Sequence, residues 1–170
     1  GDVYKRQHSD WLALQHWYRS PIGGHCSAAE MALLKTALPS LYGYVAMVLG
    51  MPAAVDYLQA SPITQQIRLD ACQPLHNIEP DLLTDPCQLP IATDRVDLAV
   101  IPHSIEFTQQ PLAMLREIDR ILIPEGHVAI IGFNPFSLWS ILRLLKLWSL
   151  AASGSKQNTS TTMDWQTRPI

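Results

Sequence analysis

Three acidic residues and a histidine stand where apolar stretches of this chain give way to polar ones. Asp70 closes QQIRLD, Asp85 closes DLLTD, and His103 and Glu106 close RVDLAVIPHSIEF. Carboxylates so placed either accept hydrogen bonds from a ligand's hydroxyl or amino groups, or are spent on turns. The Asp85-Pro86 pair itself favours a turn. A histidine titrates near ~6.5, so His103 can serve as a general base near neutrality, or it can hold its own loop by hydrogen bonding. Glu106 suits bonds to backbone N–H groups ahead of Pro111. Asp94 and Asp97 lie at the start of the same run and read as structural. No Ser/His/Asp or Cys/His constellation marks a nucleophile, and the scattered histidines and cysteines lack the clustering of metal ligands.

Positioning these groups requires strands that end together. YGYVAMVLG at 42–50 is an unbroken apolar run of the length and type found in a strand buried on both faces. Weaker strand candidates lie at 65–70 and 81–85, and clear ones at 95–104 and 127–133. Helices are expected over 10–40, around 53–60, over 111–122 and over 137–150. In the first, Pro21, Gly23 and Gly24 read as breakers, Ser27 with Glu30 as a capping box, and Pro39 as the stop. PEG at 124–126 reads as a turn. Alternation of strand and helix predicts an α/β, Rossmann-like three-layer sandwich with about five strands in a mainly parallel sheet. Ligands of such sheets bind beyond the carboxyl ends of the strands. Asp70, Asp85, His103, Glu106 and Asn134 all fall at or just past such ends. Asp70 follows Gly50 by twenty residues, the spacing at which an acidic residue accepts from ribose hydroxyls in dinucleotide sites; otherwise it is a solvent-facing loop aspartate.

The 170 residues carry a formal charge of −3, and nearly half are apolar. That fits one domain with a real core and offers no basic patch, so no nucleic-acid partner is expected. Cys26, Cys72 and Cys87 are odd in number and far apart, which suits a reduced, cytoplasmic setting. Residues 1–9 read as a non-native or disordered leader, 10–150 as the domain, and 151–170 as a polar loop or truncated tail. Segment 137–150 is either a helix sandwiched against the sheet or an interfacial one, since Trp139 and Trp148 with two cations suit contact with a membrane surface.

Over 89–135 the chain resembles the middle of a class I S-adenosylmethionine-dependent methyltransferase of type 11, the group that includes the quinone-biosynthesis enzymes. The matches are Asp85, Leu89-Pro90, Asp94, Asp97, His103, Ile105-Glu106, Leu115-Arg116-Glu117, Arg120, Leu122, Pro124 and Gly126. The resemblance implies S-adenosylmethionine as cofactor and methyl transfer to a small-molecule or lipid-like acceptor. It implies that Gly50 approaches the cofactor, that Asp85 accepts from the adenine amino group, and that Cys87 and Leu89 line the adenine pocket. His103 becomes a general base, a wall of the methionine pocket, or a loop-holding residue. Asn134-Pro135 follows the fifth strand, not the fourth, and so does not match the motif of enzymes that methylate planar nitrogens.

The departures from the family are specific. The glycine-rich loop after the first strand is reduced to VLGMPAA, where Met51, Pro52, Ala53 and Ala54 replace glycines and Pro52 removes an N–H. Phe107 replaces a second histidine, and Glu125 a glycine. The antiparallel pair that closes the family's sheet is missing, which reads as a fragment. The competing expectation is a degenerate methyltransferase fold that binds a partner without catalysis. A nicotinamide enzyme is disfavoured, because no G-x-G-x-x-G follows the first strand.

Overall fold

Two mainly apolar runs, Val45–Leu49 and Val96–Pro102, form the centre of a five-stranded parallel sheet. The structure is a computed structural model that describes residues 2–133, with side chains from residue 9 onward. Segment 137–150, Asn134 and the tail 151–170 lie outside the described residues. Helix α1 (Asp2–Tyr18), helix α2 (Pro21–Ala37) and a single 3-10 turn (Leu38–Ser40) precede strand β1 (Val45–Leu49). Strands β2 (Gln65–Asp70), β3 (Leu82–Leu83) and β4 (Val96–Pro102) follow, then a one-turn helix α3 (Ser104–Phe107), helix α4 (Pro111–Ile121) and strand β5 (Leu122–Ile131). The strand order is β3-β2-β1-β4-β5 and every pairing is parallel, which makes this a Rossmann-like α/β fold. The chain runs outward from β1 in one direction through β2 and β3, then returns to β4 on the other side. The crevice between the exits of β1 and β4 is therefore the topological switch point, where such sheets bind ligands.

The core explains why β1 and β4 are central. Ala46 to Leu49 and Leu98 to Ile101 are buried almost completely. Met47, Leu49, Leu69, Ala99 and Ile101 pack against Met114, Ile118 and Ile121 from the apolar stripe of α4. Each such side chain removed from water contributes about 1.5–3 kcal/mol. At the opposite, amino-terminal end of the sheet, Asp97 accepts from the N–H groups of Tyr44 and Val45 at 3.0 and 2.9 Å, the structural role expected of it.

The structure departs from the sequence expectation at three places. Pro21 and Gly23 do not break the first helical region at Ser27. Ser20 caps α2 by accepting from the Gly23 N–H, Pro21 occupies the first turn where its missing N–H costs nothing, and the helix runs on through Ser27. Gly23 is there for contact: a Cβ would collide with the Trp17 carbonyl and stand 2.6 Å from the Tyr18 Cα, so the backbones of α1 and α2 meet at this point. Segment 53–60 forms turns, not a helix. Asp56 accepts from the Leu58 N–H at 3.1 Å, a local bond that competes with helix formation, and prolines 52 and 62 bracket the segment. PEG does not precede β5 but lies inside it. Two residues of β4, Val96 and Leu98, pair with Leu122 and His127, so residues 123–126 bulge out of the ladder.

Gly23 and Gly24 are neighbours on α2 with opposite expected behaviour. Gly23→Ala should lose at least about 2 kcal/mol in urea unfolding, because helix backbone cannot move aside cheaply. Gly24→Ala meets nothing within 4 Å and should gain about 0.5–1 kcal/mol.

Candidate functional site

Gly50 leaves β1 at the switch point with φ +87°, a left-handed conformation that favours glycine. Its N–H bonds the Leu69 carbonyl at 2.8 Å, which ties the loop to the end of β2. The space a Cβ would take is already filled. The Ser104 hydroxyl lies within it, and the Trp11 ring stands 3.0–3.1 Å from it. Ser104 donates to the Leu49 carbonyl at 2.6 Å, and Trp11 packs edge-on against Phe107 with ring centroids 5.7 Å apart. Helix α1 therefore lays an aromatic side chain directly on the first loop.

Asp70 ends β2 beside this loop and is 0 % exposed. It accepts from the Met51 N–H at 2.9 Å on one oxygen, and from Ala71 and Cys72 at 2.7 and 3.4 Å on the other. The Trp11 indole N–H also faces it, outside good hydrogen-bond geometry. Burial pushes its carboxyl above the ordinary range, against the pull of the three backbone N–H groups. The loop's remaining groups are also committed: the Met51 carbonyl accepts from His76 Nε2 at 2.8 Å, and Pro52 has no N–H.

His103 follows β4 with φ +58°, a left-handed turn that costs a non-glycine residue about 1–2 kcal/mol. The turn sends the ring under α1 and α2, where it is 1 % exposed. Nδ1 meets Glu106 Oε2 at 2.7 Å, while Nε2 meets Tyr18 Oη at 2.8 Å and Glu30 Oε1 at 3.1 Å. A carboxylate on each side makes both ring nitrogens donors, so the ring is an imidazolium. Burial alone would lower its pKa, but the bonds to Glu106 and Glu30 outweigh this and hold it above the usual value. Burial likewise raises Glu30, and the bonds from His103 and Tyr18 bring it below the carboxylate range. Tyr18 donates to Glu30 at 2.7 Å, and Cys26 at 3.4 Å, where burial and the Glu30 charge push its thiol up to about 11.

The residues expected to border an adenine lie on the connection from β3 to β4. Asp85 is exposed and accepts from the Cys87 N–H at 2.8 Å. Cys87 is half-buried, and Leu89 is in the core. Glu117 and Arg120 of α4 hold this connection in place. Glu117 accepts from the Leu89 N–H at 2.9 Å, and Arg120 donates to the carbonyls of Leu89 and Ile91 at 3.1 and 2.9 Å. The pair is closed by a 2.8 Å ion contact. Gly50, Asp70, Asp85 and His103 thus all lie along the carboxyl edge of the sheet, with Gly50 and His103 flanking the switch point. Sequence reasoning missed Trp11 and Gln15 as site-facing groups and the buried role of Glu30. The recurrence of Trp11, Gln15 and Tyr18 one turn apart on α1 was the available signal. Among the described residues no cluster of His, Cys, Asp and Glu is placed to hold a metal, and no helix is long and apolar enough to cross a membrane.

A five-stranded parallel sheet in this order, with a glycine exit at β1 and an acidic exit at β2, is the Rossmann-like arrangement that nucleoside-binding α/β proteins share. Residues 53–130 match the family model of a methyltransferase domain, in line with the type 11 resemblance. The uncharacterized protein YafS of Escherichia coli strain K12 is 30% identical over 129 residues, 76% of this chain and 52% of that protein. The chain therefore spans about half the length of the curated relative it matches. Two solved structures share the fold at a TM-score of 0.52. One is the complex between the Haloferax volcanii Trm112 methyltransferase activator and the putative methyltransferase, 20% identical and covering 69% of this chain and 58% of that one. The other is a possible histamine N-methyltransferase from Thermotoga maritima, 15% identical and covering 85% and 67%. The cofactor of the family is S-adenosylmethionine.

The His103 clamp makes stability depend on pH in both directions. The raised His103 contributes fully below its unfolded pKa of about 6.5 and loses that contribution as pH rises through its folded value. The lowered Glu30 contributes above about 4.3 and loses it as pH falls through its folded value. The stability difference between wild type and His103→Asn should therefore peak between about pH 4.3 and 6.5. Its size there should be about 3–5 kcal/mol, measured by urea unfolding across pH, because removing one partner leaves a buried charge uncompensated.

Proposed function

We propose that the protein transfers the methyl group of S-adenosylmethionine to a small-molecule or lipid-like acceptor. The observation that carries this reading is the switch-point crevice itself, where Gly50 in a left-handed turn, the acidic β2 exit and the β3–β4 connection converge. The residues fit the cofactor's nucleoside in kind. Asp70 has about four acceptor positions, of which backbone fills three and Trp11 faces the remainder. A ribose hydroxyl takes the place of the Trp11 N–H when that ring moves. Asp85 receives the adenine amino group at the exposed rim, with Cys87 and Leu89 beside it.

The bound cofactor supplies a methyl already activated on a sulfonium. What remains for the chain is to hold donor and acceptor in line and keep water out, which together lower a barrier by up to about 7–11 kcal/mol. Leu49, Met51 and Asp70 fix the loop, and the Glu117–Arg120 pair fixes the adenine side. His103 acts as a positioning residue, since both ring nitrogens already donate and neither is open to receive a proton.

The same observations give a second reading some support. Trp11 sits in the first loop and Asp70 is fully buried, as a scaffold kept for partner binding without catalysis would have them. Calorimetry of the whole protein with S-adenosylhomocysteine separates the two. Saturable binding, a change in tryptophan fluorescence as Trp11 leaves Gly50, and an affinity at least roughly ten-fold weaker in Asp70→Asn are expected of the methyltransferase, this being the cost of one charge-assisted hydrogen bond. No binding at millimolar ligand assigns the chain to the non-catalytic scaffold.

A further inference from the structure

Among the described residues four buried polar groups lack a hydrogen-bond partner: Trp11 Nε1, which faces Asp70, and Gln15 Nε2, Glu30 Oε2 and the Tyr57 hydroxyl. Gln15 is 2 % exposed, Glu30 8 % and Tyr57 1 %. Native interiors leave few such groups, because each costs about 1–3 kcal/mol. The imbalance is sharpest at Glu30, whose Oε1 accepts from Tyr18, His103 and Cys26 while Oε2 accepts from nothing. At Gln15 the oxygen accepts from the Leu75 N–H at 2.6 Å and the amide N–H₂ is left over. At Tyr57 the Ala53 N–H is directed at the oxygen, and nothing accepts the hydroxyl proton.

These groups belong together. Gln15 lies one turn from Trp11, which covers Gly50, and one turn from Tyr18, which bonds Glu30. Tyr57 is close enough for the Glu30 charge to help hold its proton on, after burial itself. Of the two carboxylates that meet His103, Glu30 is the more buried. Glu30, Gln15 and Tyr57 present one anionic acceptor and two donors, the complement of an amino-acid zwitterion. Meanwhile the loop that bears the family's glycines has little backbone to offer: its N–H groups at Gly50 and Met51 and its carbonyls at Leu49 and Met51 are all engaged.

Resting on the methyltransferase reading, we infer that side chains, not the first loop, bind the methionyl end of the cofactor in this protein, with Glu30 Oε2 taking the α-ammonium and Gln15 Nε2 and the Tyr57 hydroxyl taking the α-carboxylate. The α-ammonium gives Glu30 Oε2 a donor, and Gln15 Nε2 and the Tyr57 hydroxyl gain an acceptor. Helix α1, which carries Gln15 as well as Trp11, thereby becomes part of the site.

The test compares S-adenosylhomocysteine with 5′-methylthioadenosine, which has the same nucleoside and no amino-acid end, by calorimetry on the whole protein. Wild type should prefer S-adenosylhomocysteine by at least roughly ten-fold, the value of one or two charge-assisted bonds. Tyr57→Phe should cut that preference several-fold and leave methylthioadenosine affinity unchanged. Glu30→Gln, which keeps an oxygen for Tyr18 and His103, should also cut it. Equal affinity for the two ligands in wild type, or an undiminished preference in a folded Tyr57→Phe, overturns the inference while nucleoside binding still supports the methyltransferase. Failure of both ligands to bind overturns both.

Discussion

The packing of two helices on the carboxyl edge of the sheet depends on one buried cation. An imidazolium taken out of water costs several kcal/mol, and His103 recovers it only because Glu106 meets one nitrogen while Glu30 and Tyr18 meet the other. The same contacts keep His103 in a left-handed turn that an L-residue otherwise avoids. The turn is fixed from the other side by its N–H, which bonds the Ile131 carbonyl at the end of β5 at 2.8 Å. Charge, backbone conformation and helix docking are thus a single arrangement. Without it, nothing charged holds Tyr18 and Glu30 over the switch point, and with them Trp11 and Gln15 lose their place.

The proposed methyl transfer, which needs no nucleophile, would account for why so much of this edge is given to positioning. The polar groups nearest the crevice mostly bond to one another or to backbone: Ser104 to Leu49, Asp70 to Met51, His76 to Met51, Glu117 to Leu89. Each bond is worth about 0.5–1.5 kcal/mol net, but together they fix loops that would otherwise be free to move. That is the requirement of a reaction limited by alignment and not by proton transfer.

The sheet was legible because its signal is local. Buried parallel strands read as continuous apolar runs, and YGYVAMVLG and RVDLAVIPHS are such runs. Their polar exits were legible for the same reason, so Asp70, Asp85 and His103 fall on the expected edge. What was not legible depends on residues far away in sequence. Gly23 looks like a helix breaker until the Trp17 carbonyl is seen beneath it. Glu30, three residues after Ser27, has the spacing of a capping box, and only His103, seventy-three residues on, makes it a buried ion. Glu117 and Arg120 show the i,i+3 spacing of an exposed pair, and their bonds to residues 89–91 leave no mark in that spacing. The β5 bulge is intermediate: PEG reads as a turn ahead of the strand, but cross-strand register makes residues 123–126 a bulge within it.

The sequence VLGMPAA invites the conclusion that the cofactor loop has decayed, and the structure changes the terms of that conclusion. A glycine-rich loop serves by offering bare backbone to a ligand. Here the backbone is turned inward: Gly50 binds Leu69, Met51 binds both Asp70 and His76, and Pro52 has no N–H to offer. Larger residues then do no harm, because no ligand atom needs to approach where their side chains begin. Met51 and Ala53 are themselves buried, filling space beneath the loop. A loop that had simply lost its function would leave these groups unpaired or exposed. One whose recognition work had passed to neighbouring helices would be sealed as this one is, with unspent donors and an unspent carboxylate oxygen facing it from Gln15, Tyr57 and Glu30.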